Sequence, residues 1–297
     1  MLKDCNISLQ DSIMDDENFS ESDYLKMYED VRLAVENGFF TSGYEHYCKH
    51  GKMELRRTSR FDGESHSIRD YTKLVRDLIA AHPDNYDLAM ARAIGSPTLK
   101  IFVNSGDKQY HILNRIGLKN DQTIYDLACG SGRTAMALKR HGWQGSYRGA
   151  DIIQELVDYA QQKIPDFQFF VHRDFSIHAL ENSLDIIYSG SLFTHLHIEE
   201  IFLYARDCHR TLKKGGTFVF SFLTLNNQRH REIFKSRAIA IDNGIPNVHL
   251  DTFLDMGTIS TIFIDMLDFK LVEFIDANDA TATPTGCFGQ ALAIFRK

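Results

Sequence analysis

The residues best suited to chemistry form one glycine-rich turn and three acids spaced along the chain. The turn is Tyr125-Asp126-Leu127-Ala128-Cys129-Gly130-Ser131-Gly132, which closes a strand-like run and opens a helix-like one. Glycines at such a junction let a ligand approach the backbone, and a helix start offers free N–H donors. Without a ligand, the same motif serves as a tight strand-to-helix turn. Asp151 closes the next strand about 20 residues past the glycines. A nucleotide-binding βαβ unit places its ribose-binding carboxylate there. A solvated N-cap of the following helix is the other reading of Asp151. Asp174 closes a third strand and Phe175 follows it. A carboxylate there accepts from an exocyclic amine while an aromatic ring packs on a purine. A loop acid beside a core phenylalanine is the plainer alternative.

Two ligand classes fit a glycine turn with a ribose acid. Residues 130–135, GSGRTA, satisfy the dinucleotide pattern GxGxxA. Asp126, four residues before Gly130, argues against a dinucleotide, because an acid beside a phosphate loop repels pyrophosphate. S-adenosylmethionine has no phosphate and carries an ammonium and a sulfonium, so the same acid helps it. Asp174 adds a further acid on the adenine side. A C-terminal antiparallel strand pair also replaces the sixth parallel strand of a dinucleotide fold.

These residues need elements to hold them. From Thr123 the apolar period is strand-like, and strand–helix units follow. Strands are expected at 123–128, 146–150, 167–171, 184–188 and 217–222, with helices at 132–141, 153–163 and 198–212. Such alternation specifies a parallel sheet covered on both faces. A helix at about 256–267 precedes strands 270–275 and 291–295. The loop between those strands is too short for a crossover helix, so they must run antiparallel. Before the sheet, helices are expected at 66–81, 84–94 and 107–116. Residues 22–57 read as a helical hairpin, broken at Asn37-Gly38 and ending at Gly51. Residues 1–20 read as an acidic tail, 58–65 as a linker and 225–255 as a polar, basic insert beyond the fifth strand.

Composition narrows the class. The 297 residues are 43% hydrophobic and 25% charged, with 33 Lys and Arg against 40 Asp and Glu, a net charge of -7. That balance disfavours a general nucleic-acid binder. The five cysteines, at 5, 48, 129, 208 and 287, have no CxxC spacing and read as free thiols of a reducing compartment. There is no apolar run near the roughly 20 residues of a membrane span, and the N-terminus is acidic where a signal peptide is apolar. A cytoplasmic protein is expected.

Residues 123–223 and 268–297 resemble class I S-adenosylmethionine-dependent methyltransferases, through YDLACGSGR, YRGADI, HRDF, LDIIYSGSLFTHL, LKKGGTFVFSFL and GQALAIFRK. The resemblance implies an α/β, Rossmann-like seven-stranded sheet of order 3-2-1-4-5-7-6 with strand 7 antiparallel. It also implies S-adenosyl-L-methionine as cofactor. Asp126, Ala128, Cys129, Gly130 and Gly132 would line its methionine end, with Asp151 and Ile152 at the ribose. Asp174 and Phe175 would flank the adenine, and Ser189, Gly190 and Ser191 the methyl-donor mouth. The segment DYLKMYEDVRLAVENGFFTSGYEHYCKHGKMELR resembles a helical module found in bacterial proteins, some of them glycosyltransferases and surface-polysaccharide enzymes.

Methyl transfer to a hydroxyl needs alignment and a base. His195, after the fourth strand in SGSLFTHLH, is the first candidate for base or substrate contact, and a helix-start residue packing on its loop is the alternative. His249 and His230 lie in the insert and could reach over the site, although surface positions suit them better. His197 reads as a solvated helix start. Tyr110, and less so Lys108, could cap the cofactor. The basic run Arg229, His230, Arg231, Lys235, Arg237 reads as a solvated helix face or, if functional, a cradle for an anionic acceptor. His46, Cys48 and His50 share a short stretch but lack further ligands at metal-binding spacing, so no metal is expected. Cys208-His209 reads as part core, part surface.

Three regions are therefore expected: 1–57, tail plus hairpin; 58–116, linker and helical cap; and 117–297, the methyltransferase domain with insert 225–255 as substrate lid. The function expected is O-methylation of a small molecule or sugar, without nucleic acid or a membrane span. The hairpin is a candidate site for a protein partner, and polysaccharide biosynthesis is the expected setting. A non-catalytic methyltransferase-like module is the second reading and an NAD-dependent oxidoreductase the third.

Overall fold

The computed structural model describes residues 19–54, 56, 66–245 and 250–297. The tail before residue 19, the linker at 58–65 and the candidate base His249 lie outside the described residues. The chain divides into two compact units, one of residues 1–62 with 178–180, the other of 63–177 with 181–297.

The larger unit is built on seven strands: β1 (Thr123–Leu127), β2 (Ser146–Asp151), β3 (Gln168–Val171), β4 (Leu184–Ser189), β5 (Leu212–Phe222), β6 (Lys270–Ile275) and β7 (Ala291–Arg296). Their order is β3-β2-β1-β4-β5-β7-β6. The first five pair in parallel, and β7 runs antiparallel between β5 and β6. Central strands such as LDIIYS and ALAIFR are almost wholly buried, as a sheet covered on both faces requires. Helices α7 (Arg133–Arg140), α8 (Gln154–Lys163) and α9 (Ile198–Thr211) make the crossovers. Aromatic rings hold the β5–β7 side together. Phe220 and Phe295 each stack on Phe263, at 4.9 and 4.8 Å between centroids.

Several boundaries move from the expected ones. Strand β5 starts at Leu212, paired with Leu184, because a register shift absorbs the Lys-Lys-Gly-Gly stretch before Thr217. The helix expected at 107–116 runs from Leu99 to Arg115, since the Thr98 side chain accepts from Ile101 N and caps an earlier start. The helix at 256–267 is a short α11 (Met256–Ser260) continued by a π-helical turn, Thr261–Met266. Within the insert stands a helix, α10 (Gln228–Asp242), started by the Asn227 side chain.

Ahead of β1 lie α4 (His66–Ala81), α5 (Tyr86–Ala93) and α6 (Leu99–Arg115). They belong to the same compact unit as the sheet. Val75, Met90 and Ala93 pack with Ile153, Leu156 and Tyr159 at the start of α8. Helix α6 crosses α7 at Gly106, where a Cβ would stand 2.9 Å from Arg133 O.

The smaller unit holds α1 (Glu21–Met27), α2 (Glu29–Glu36) and α3 (Gly43–His46), the last continued by a π-helical turn, Tyr47–Gly51. The first arm of the expected hairpin is thus two helices, interrupted at Tyr28, whose φ of -119° and ψ of 88° are not helical. Its core is Tyr24, Met27, Tyr28, Val31 and Tyr47. Glu21 joins the arms by accepting from Gly43 N and Tyr44 N at 2.6 and 2.9 Å. His46 is buried with its Nδ1 3.1 Å from the Tyr24 hydroxyl, while Cys48 is exposed.

Candidate cofactor cleft and acceptor mouth

The glycine loop leaves β1 in an unusual backbone shape. Ala128, Gly130 and Gly132 have φ of 64°, 56° and 80°. The two glycines adopt this left-handed region freely, whereas Ala128 is held there at a cost of about 1–2 kcal/mol. Cys129 N donates to Ala150 O at 2.9 Å, which ties the loop to β2. The Cys129 thiol points inward, against Gly149, where a Cβ would come within 2.9 Å of Sγ. Only the Cys129 backbone therefore borders the loop. A Cβ on Gly132 would stand 2.9 Å from Ala160 Cβ, and one on Gly130 2.8 Å from Ile94 Cγ2. Gly132 sets how closely helix α8 approaches, and Gly130 how closely the segment after α5 does.

Asp151 braces this loop. Its Oδ2 accepts from Gly130 N at 2.8 Å and its Oδ1 from Ile153 N at 3.1 Å. Burial raises its pKa against those bonds. The N-cap reading of Asp151 and the loop-facing reading thus describe the same carboxylate. Ile152 gives its carbonyl to Arg173 Nε at 3.1 Å and packs on the cap cluster.

Asp126 is 1% exposed and accepts from the Tyr147 hydroxyl at 2.6 Å. Burial pushes its pKa up to about 6, against the hydrogen bond of Tyr147 and the charge of Arg133. Close by is Arg133, which the sequence analysis did not single out. Its Nε donates to Gln109 Oε1 at 3.2 Å and its Nη1 to Ser96 Oγ at 3.1 Å, both neutral partners. Burial lowers the Arg133 pKa, the direction expected for a desolvated cation. Thr134 Oγ1 also donates to Gln109 Oε1, at 3.1 Å. The Tyr188 hydroxyl lies buried beside this group without a well-formed hydrogen bond. Gln109, rather than its neighbours, is the contribution of α6. Tyr110 stacks on His141 at 3.9 Å and Lys108 donates to Cys287 O at 2.7 Å. The only sequence signal for this network is that Arg133 directly follows the second glycine.

Beyond β3, Asp174 Oδ1 accepts from His172 Nε2 at 2.7 Å, from Ser176 N at 3.1 Å and from the Ser176 hydroxyl. Phe175 meets Tyr204 edge-on at 5.4 Å. After β4, the Ser189 hydroxyl donates back to Leu127 O at 3.1 Å. A Cβ on Gly190 would stand 2.9 Å from the Tyr188 hydroxyl. Ser191, at φ 65°, donates its N–H to Ser221 Oγ at 2.7 Å. The Ser191 and Ser221 hydroxyls both donate to Gln290 Oε1, at 3.0 and 2.6 Å. Gln290 therefore ties the ends of β4 and β5 to the start of β7.

His195 Nδ1–H donates to Leu250 O at 2.7 Å, so Nε2 is the lone-pair nitrogen of the neutral ring. Thr252 N and Oγ1 reach Thr194 O and Leu196 O at 2.7 and 2.6 Å. These bonds seat the end of the insert on the loop after β4. His230 departs from the expected surface position. It is 2% exposed, its Nδ1 accepts from Thr224 N at 3.1 Å, and its Nε2 faces Gly289 O at 3.2 Å. It anchors the start of α10 to the loop before β7. His197 is the exposed N-cap of α9, as read. Arg237 is paired with Asp251 at 2.5 Å. Cys208 is buried in α9, and His209 meets Phe269 edge-on at 4.8 Å.

A mixed sheet of this order, with a left-handed glycine loop after β1 and an acid closing β2, defines the architecture of a Rossmann-like methyltransferase domain. Residues 124–216 match the family model described as a methyltransferase domain. A sterol 24-C-methyltransferase of Neurospora crassa is 24% identical over 220 residues, 69% of this chain and 57% of that protein. The chain thus spans little more than half the length of that relative. Among solved structures, a methyltransferase of Methanosarcina mazei superposes with a TM-score of 0.50 at 18% identity, over 62% of this chain and 96% of that one. A chain from the Haloferax volcanii complex of the Trm112 methyltransferase activator with a methyltransferase superposes at 0.51 and 22% identity, over 74% and 97%. At these identities the likeness is one of fold.

Proposed function

We propose that this protein is an S-adenosylmethionine-dependent methyltransferase whose acceptor is a hydroxyl of a small molecule. The observation that carries the reading is the charged pair beside the glycine loop, Asp126 buried and Arg133 half-buried. Asp126 is an anion held by a phenol, and Arg133 is a cation held by an amide and a hydroxyl. Such a pair complements the ammonium and carboxylate of a methionine moiety, and the Tyr188 hydroxyl offers one further polar group. It does not suit pyrophosphate, which Asp126 would repel. Asp151, at the loop, suits a ribose edge, and Asp174 with Phe175 a purine. When bound, the cofactor supplies a methyl group on a sulfonium, an excellent leaving group. The chain's own residues then need to orient the acceptor, exclude water and take a proton. His195, oriented by its bond to Leu250 O, suits the last task and supports oxygen as the acceptor atom. The region around 225–255 suits a lid, since Thr252 and Leu250 seat it on the loop carrying His195.

A sugar acceptor rests on the N-terminal module alone, and the described residues of that module add no support for one. A lipophilic acceptor is the second reading, favoured by the similarity to a sterol C-methyltransferase. The non-catalytic reading is less supported, because all the loop and acid positions keep their structural roles.

Calorimetric titration with S-adenosylhomocysteine and, separately, NAD tests the cofactor. Micromolar S-adenosylhomocysteine binding, abolished in Asp151→Ala, is expected. Binding of NAD in its place would overturn the proposal. Labelled methyl transfer from S-adenosylmethionine into fractionated cell extract then identifies the acceptor.

A further inference from the structure

Arg133 stands beside the glycine loop without a counter-charge. It is half-buried, and among the described residues it has no ion pair. Two other enclosed arginines show the ordinary arrangement. Arg56, 5% exposed, holds both Asp30 oxygens at 3.1 and 2.8 Å, and the half-buried Arg210 holds Asp207 at 2.6 Å. A cation withdrawn from water is costly unless an anion compensates it. Arg133 has instead an amide and a hydroxyl. Its Nε donates to Gln109 Oε1 at 3.2 Å and its Nη1 to Ser96 Oγ at 3.1 Å.

Gln109 keeps this arrangement both fixed and neutral. It lies on α6, 4% exposed, and its Oε1 accepts a second bond from the Thr134 hydroxyl at 3.1 Å. An oxygen that takes two donors, one of them a guanidinium, settles which end of the amide faces Arg133. The amide nitrogen then lies toward Gly190, where a Cβ would come within 3.2 Å of it. The side chain thus spans from the arginine beside the glycine loop to the mouth after β4. A glutamate here would have the same shape and would supply the missing counter-charge, which glutamine withholds. The remaining N–H groups of Arg133, on Nη1 and Nη2, have no partner among the described residues. Their planar fork matches a carboxylate.

We propose that Gln109 and Ser96 are positioning residues, which hold Arg133 uncompensated and oriented so that it receives the carboxylate of the cofactor's amino-acid end. The inference rests on the cofactor reading above and adds where selectivity for that end originates. Both residues precede β1 and lie outside residues 124–216, which match the family model. The helices ahead of the sheet therefore contribute to cofactor choice as well as to packing.

The test is calorimetric titration of the full chain with S-adenosylhomocysteine and with methylthioadenosine, which keeps the adenosine and the thioether but lacks the amino acid. Wild type is expected to bind S-adenosylhomocysteine at least about tenfold more tightly, as hydrogen bonds to a charged group require. Gln109→Glu pairs Arg133 internally. It is expected to weaken S-adenosylhomocysteine at least about tenfold and to leave methylthioadenosine within about twofold. Ser96→Ala keeps the charge free but releases one bond of the guanidinium. It is expected to weaken S-adenosylhomocysteine about threefold with methylthioadenosine unchanged, and it carries the test if a thermal melt shows the glutamate variant unfolded. Three results would overturn the proposal while leaving the cofactor reading in place. They are equal affinity of wild type for the two nucleosides, equal loss of both in the variants, as a merely structural role would give, and undiminished S-adenosylhomocysteine affinity in a folded Gln109→Glu. Wild type that binds neither nucleoside would overturn the cofactor reading, and this inference with it.

Discussion

Asp126→Asn separates the demands of binding from those of stability. Burial raises the Asp126 pKa from 3.8 to about 6. The folded state therefore holds this proton more tightly than the unfolded chain does. The resulting stability is fully present below about pH 3.8 and is lost as the pH rises through about 6. A displacement of about two pKa units corresponds to about 3 kcal/mol. Above pH 6 the folded protein carries that penalty, because a carboxylate sits where water cannot reach it. Asparagine keeps an acceptor for the Tyr147 hydroxyl, now 2.6 Å from Asp126 Oδ2. It also replaces one carboxylate oxygen by an NH2 that needs an acceptor of its own, at about 1 kcal/mol. The variant is then more stable than wild type by about 2 kcal/mol at neutral pH, and the gap closes toward pH 4. Urea unfolding followed by the fluorescence of Trp143, the single tryptophan and 4% exposed, reports on this unit. The same variant should bind S-adenosylhomocysteine more weakly, having lost the anion facing its ammonium. A variant less stable than wild type at neutral pH, or a gap that does not change with pH, would refute the account of Asp126 as a charge held at a cost.

Two further substitutions probe the loop and the mouth. Gly130→Val places a branched side chain at φ 56°, with its Cβ 2.8 Å from Ile94 Cγ2. Titration should show S-adenosylhomocysteine binding abolished, with the folded state weakened by at least about 1 kcal/mol, the cost of left-handed backbone alone; retained micromolar affinity would argue against a cofactor at this loop. His195→Ala should leave that affinity intact and slow methyl transfer to the identified acceptor about a hundredfold. A loss of only a few-fold would remove His195 as the base.

Much of the scaffold is legible locally. Periods of two and of 3.6 residues mark the strands and helices of 123–222, because a covered sheet demands apolar runs and its crossovers demand one apolar stripe. The last two strands read as antiparallel because their connection cannot hold a helix. The chain was less legible where tertiary packing overrode pattern. Tyr28 has helical neighbours on both sides but leaves the helix. Helix α10 lacks an apolar stripe that would have announced it. His230 lies in a basic run yet is buried, because two backbone groups satisfy its ring.

By itself, the sequence determined the glycine loop, the acid closing β2 and the antiparallel run of the last two strands, while the strand order came through the resemblance to a known family. The first three each follow from a local requirement, whether a left-handed backbone, a helix start or a short connection. Only the tertiary structure decided which groups meet there. Gln109 and Ser96 reach Arg133 across 24 and 37 residues of chain, and Leu250 reaches His195 across 55. No local period encodes such meetings, since they depend on how the cap and the insert pack on the sheet. The same packing turned the Cys129 thiol inward and left the isoleucines of α10 facing out.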